Sequence, residues 1–91
     1  MEENNNGMKV IILENDSVKM SEINNAKIIR IKDKNYNILI MKDYWPVLGE
    51  VDGSVQIEAE ESLILNGIKG FYSLSHNVFH LIIREKENND D

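Results

Sequence analysis

His76 and His80 are the chain's two histidines, and with 16 carboxylates they are its candidate ligands and proton carriers. On a helix, a spacing of four would set both imidazoles on one face, as a zinc site needs. Here they fall in SLSHNVFHLII, where His76 occupies a turn and His80 the solvent side of a strand, with no third ligand nearby. The carboxylates gather as Asp43, Glu50 and Asp52, then as Glu58, Glu60 and Glu61. Paired carboxylates can exchange protons or hold a hard cation, yet no D-x-D-x-D spacing is present and no nucleophile stands beside them. Solvated turns and strand faces account for them. Ser17, Ser21, Ser54, Ser62, Ser73 and Ser75 lie in no G-x-S-x-G setting. Gly67 and Gly70 stand alone in strand context, unlike a phosphate loop. No enzymatic activity, cofactor or metal is expected. Tyr44-Trp45-Pro46 is of another kind, holding the only tryptophan and the only proline. The tryptophan either plugs one end of a small domain or anchors a protein partner from a loop tip.

The elements that position these residues read as strands. Ile68–Ile83 (IKGFYSLSHNVFHLII) has two β-branched and aromatic arms around Ser75, His76 and Asn77, a β-hairpin with Phe79, Leu81 and Ile83 on one face. Lys9–Glu14 is an opening strand, with a turn at Glu14, Asn15 and Asp16. Ser17–Ile23 alternates weakly, as an edge strand does. In Ala26–Lys32, Ile29 and Ile31 oppose Arg30 and Lys32. In Tyr36–Met41 both faces are apolar, so that strand is covered twice or meets a partner. Lys42–Gly53 breaks the pattern, since Pro46 cannot donate within a sheet. Val55, Ile57 and Ala59 then alternate with Gln56 and Glu58, and Glu60 and Glu61 turn the chain. After Ser62–Asn66, Asn66-Gly67 predicts a type I′ hairpin turn. About eight to ten short strands make an all-β, small antiparallel β-sandwich or flattened barrel. Residues 1–7 are expected to be a disordered leader, with Met8 a possible functional start, 8–84 the domain, and 85–91 a charged flexible tail.

Composition narrows the function further. Ninety-one residues make one domain, burying roughly 60–65% of its unfolded surface. A net charge of −6 without a basic cluster argues against nucleic acid and anionic lipid. There is no cysteine, so no disulfide and no thiolate metal site. The apolar run Val10–Leu13 is far too short for a signal peptide or a membrane span. The expected setting is cytoplasmic, with any membrane role exercised through a partner already there.

Three segments together resemble the N-terminal β-sandwich of the epsilon subunit of rotary F-type ATP synthases. In the hairpin, Gly70-Phe71, Leu74, Asn77, Phe79 and Leu81 match the family's spacing, with Lys69 in place of its first glycine. In Ile40–Pro46 and beyond, Pro46, Val47, Leu48, Gly53, Val55 and Ile57 fit, with one residue missing before Gly53. VIILENDSVKM is similar to the family's first two strands. The resemblance spans roughly Met8 to Arg84. Departures are Asp33, Lys34, Asn35 and Tyr36 in place of a glycine-rich approach, Tyr44 in place of a histidine, and Met41 or Lys42 in place of the loop's first proline. The family's C-terminal helical hairpin, which carries inhibition and in some members ATP binding, is expected to be missing. The resemblance implies a non-catalytic subunit that couples the central stalk to the membrane rotor ring in proton-driven ATP synthesis, peripheral on the inner face of the cell membrane. Its partners would be the gamma subunit and the ring. Tyr44 and Trp45, with Asn37 and Asp43 nearby, would face the ring, and apolar strand faces left open would face the stalk. The other reading is a stand-alone β-sandwich that binds a protein or small ligand, unrelated to the ATPase.

Overall fold

The computed structural model describes residues 7–14 and 19–87. The leader before Gly7, the turn at Asn15 and Asp16, and the last residues of the tail lie outside the described residues. Every regular element among those described is a strand: β1 (Met8–Glu14), β2 (Lys19–Ala26), β3 (Ile28–Asp33), β4 (Asn37–Met41), β5 (Val47–Glu58), β6 (Ser62–Ser75) and β7 (Val78–Lys86). They form one sheet in the order β2-β1-β7-β6-β5-β3-β4. The all-β expectation holds, with seven strands rather than eight to ten short ones. All neighbours run antiparallel except β1 and β7, which are parallel with Val10 beside Phe79 and Ile12 beside Leu81.

Fewer strands result because glycines that look like turn signals are bulges and close approaches. The register slips so that Asn66 and Gly67 both lie opposite Ser54, and Gly67 has φ of 65°. This bulge replaces the predicted hairpin turn. It also changes which residues face inward, from Leu63 and Leu65 before it to Ile68, Tyr72 and Leu74 after it. Without the extra residue one half of β6 would turn its apolar side chains to water. The type I′ turn occurs instead at His76 and Asn77, with φ of 50° and 65°, between paired Ser75 and Val78. The expected break over residues 42–53 is also shorter. Val47–Gly53 is the first half of β5, and only Lys42–Pro46 forms a loop. A side chain on Gly53 would strike the Lys32 carbonyl, and one on Gly70 the Ile82 carbonyl, so both positions need the smallest residue.

The inward faces form one apolar cluster with no buried polar or charged residue among those described. Val10 of β1 and Ile40 of β4 come from opposite halves of the sheet order, yet both are fully buried in it. A flat sheet would leave such a face in water, so the sheet folds over on itself as in a sandwich or flattened barrel. Only Lys27 separates β2 from β3 at the corner, and its N–H donates to the Glu58 carbonyl at 2.7 Å. The charged stretch after Ile83 is partly structured. β7 continues to Lys86, whose Nζ lies 3.5 Å from the Glu14 carboxylate, and the Glu87 N–H donates to the Gly67 carbonyl at 2.7 Å. Among the described residues no helix is long and apolar enough to cross a membrane.

Candidate functional site

The β4–β5 loop is held in place from two sides. The Tyr44 N–H closes a turn onto the Met41 carbonyl at 3.1 Å, with Asp43 at φ 67°. Across the domain end, Asn77 grips Asp43: its Oδ1 accepts the Asp43 N–H at 2.6 Å, and its Nδ2 donates to the Asp43 carboxylate at 3.0 Å. The Asn77 carbonyl in turn accepts the Lys9 N–H at 2.9 Å. A single residue in the β6–β7 turn thus joins the start of β1, through its backbone carbonyl, to the loop after β4, through its side chain. Asparagine suits the position, because it tolerates positive φ and offers one donor and one acceptor.

Trp45 projects from this clamped loop with 79% of its surface exposed. Of the two roles the sequence left open for it, filling one end of the domain is excluded, since the buried cluster forms without it. Tyr44 is also partly exposed. Asp43, Tyr44 and Trp45 therefore sit together, whereas Asn37 stands at the far end of β4. Four strand steps separate Asn37 from Met41, about 13 Å. His76 lies beside Asn77 in the turn, with its Nδ1 3.1 Å from the Ser75 hydroxyl, and His80 points outward from the middle of β7.

A second surface follows from strand register. Glu50 pairs with Phe71, Phe71 with Ile82, Ile82 with Leu13, and Leu13 with Met20, all on the outward face. This row crosses five strands and so spans about 19 Å. Leu48, 81% exposed, lies diagonally beside Phe71, and the Arg84 guanidinium sits 5.6 Å from the Phe71 ring centre. The other half of the outward face is mixed, with Arg30, Lys32, Gln56 and Glu58 beside exposed Leu39, Met41 and Ile64. The apolar row went unlisted among the sequence candidates, although outward Leu48, Phe71 and Ile82 are legible from strand alternation once each inward face is known.

An open groove of about 610 Å³ runs along Leu48, Phe71 and Arg84 of this second surface, with Tyr36 and Tyr72 in its wall. The Tyr36 hydroxyl donates to the Glu50 carbonyl and accepts from the Tyr72 hydroxyl at 2.8 Å. Tyr72 is buried and stacks on Phe79 at 5.8 Å, and a side chain on Gly49 would collide with its hydroxyl end. Burial first, and the Tyr36 hydrogen bond second, push the Tyr72 phenol well above its ordinary pKa of 10.0. A proton held more tightly in the folded state stabilises it fully below pH 10.0, and that contribution falls as pH rises further. Wild-type protein should therefore lose more stability than Tyr72→Phe between neutral pH and pH of about 11, when both are melted in urea. Equal losses would place the Tyr72 phenol in ordinary solvent.

No protein-family model and no curated protein matches the chain. Among solved structures it is similar to a chain in the cryo-EM structure of the Tetrahymena thermophila mitochondrial ATP synthase, central stalk and c-ring. The TM-score is 0.67 at 11% sequence identity, covering 86% of this chain and 63% of that one. The likeness is one of fold, and this chain spans less than two thirds of that neighbour's length.

Proposed function

We propose that this chain is a non-catalytic, epsilon-like central-stalk subunit of a rotary F-type ATP synthase. The observation that carries the reading is the fold shared over 86% of the chain with a component of a central stalk and c-ring structure. Such a subunit needs rigidity and two adhesive surfaces, and its own chemistry is not required for torque transfer. Trp45, with Tyr44 and Asp43, is assigned to the rotor ring, because an exposed aromatic on a clamped loop binds with little loss of conformational freedom. Asn37 stands apart from that loop and is assigned a secondary role at most. The apolar row through Phe71, Ile82 and Leu13, with exposed Leu48 beside it, is assigned to the gamma subunit. The protein would then reach the membrane's inner face only through these partners. No cofactor is assigned.

Affinity capture from solubilised membranes of the source cell tests this. Recovery of gamma and ring subunits together is expected, with capture of gamma reduced by Phe71→Glu. A protein that recovers neither subunit is a stand-alone binding module, and the stalk reading fails.

A further inference from the structure

Among the described residues the sheet has two free edges, β2 and β4. β2 is guarded against pairing by Lys19, Glu22, two asparagines and a register slip against β1. β4 reads NILIM, without charge, proline or bulge, and its outward Leu39 and Met41 are 43% and 50% exposed. The ladder shows which backbone groups are unused. The Asp33 N–H donates to the Tyr36 carbonyl at 2.8 Å, so hydrogen-bonded pairs recur at Ile31–Ile38 and Ile29–Ile40. The amides of Asn37, Leu39 and Met41, and the carbonyls of Asn37 and Leu39, therefore point away from β3. The Met41 carbonyl is engaged by Tyr44. A row of alternating donors and acceptors is the chemistry of another strand.

Charge selects the kind of strand. Residues 27–43 hold five of the chain's ten lysines and arginines with only two carboxylates, although the whole chain carries −6. Both carboxylates are committed: Asp33 accepts the Asn35 and Asp52 amides, and Asp43 is held by Asn77. Arg30 and Lys34 lie near Glu58 and Asp52. Among the described residues Lys32 and Lys42 make no ion pair, and they stand at the two ends of the edge. We propose that the β4 edge captures an extended acidic segment of a partner protein by strand addition, with an apolar residue against Leu39 and carboxylates at Lys32 and Lys42. A second copy fits less well. Antiparallel self-pairing about Leu39 would bring the Lys32–Lys34 end of one copy against Lys42 of the other, twice. This surface adjoins the aromatic loop at Lys42 but uses the backbone edge of β4 and not the Tyr44-Trp45 tip, so its test does not depend on the stalk reading.

The probe is a fluorescein-labelled ten-residue peptide of alternating valine and threonine, with two glutamates at each end, read by anisotropy at low salt. Binding is expected to be at least about tenfold tighter than for the same peptide ended in lysines. Leu39→Pro removes an outward amide that β3 does not use, so the domain should fold and binding should be lost. The double variant Lys32→Glu, Lys42→Glu leaves the backbone intact and should reverse the preference between the two peptides. Equal binding of both peptides by the native protein, or unchanged preference in the double variant, overturns the proposal. So does concentration-dependent dimerisation abolished by Leu39→Pro, which would give the edge to a second copy.

Discussion

Phe79→Ala is expected to cost about 3–5 kcal/mol and to lower the melting temperature by roughly 15 °C or more. Phe79 is fully buried, stacks on Tyr72 at 5.8 Å and lies between Val10 of β1 and Leu74 of β6. Its removal opens a cavity on β7, the strand that pairs parallel with β1 on one side and antiparallel with β6 on the other. A domain of this size has a total stability of roughly 5–13 kcal/mol, so the loss would bring it near unfolding at body temperature. Phe71→Ala is the internal control, since the chain's only other phenylalanine faces outward on the next strand and is 40% exposed. It should cost under about 1 kcal/mol. Chemical denaturation of the two variants measures both. Similar costs would mean that inward and outward faces are misassigned.

On the proposed stalk reading, Trp45→Ala is expected to weaken capture of a rotor ring by roughly 30-fold or more, as loss of an aromatic anchor does. The melting temperature should stay within about 2 °C, because a side chain 79% exposed contributes little to the core. Asn77→Ala should weaken capture too, but less, by freeing the Asp43 grip on the same loop. Titration with detergent-purified rotor ring, beside thermal melts, separates these effects. A fall of several degrees with unchanged binding would return Trp45 to a packing role.

Strand faces were legible because alternation is a local property. Ile29 and Ile31 inward, Val55 and Ile57 inward, and Phe79, Leu81 and Ile83 opposite His80 all stand as the period predicts. The hairpin around His76 and Asn77 was legible for the same reason. The bulge at Asn66-Gly67 was not, because a glycine able to turn a chain is equally able to bulge one. Its choice depends on Ser54 across the ladder and on where β6 must place Ile68. The epsilon-like resemblance singled out Asn77 by its spacing, but its grip on Asp43 became visible only in the structure.

Trp45 shows the division most clearly. The sequence by itself determined that the one tryptophan stands beside the only proline, in a stretch that breaks the strand pattern. Whether that ring turns into the core or out to solvent depended on contacts no local pattern encodes. Asn77, 34 residues from Asp43, fixes the loop's course. The core cluster, built from all seven strands, is already filled without the indole. Tertiary structure made Trp45 a surface residue because packing and the long-range clamp, not residue type, set where a loop side chain can go.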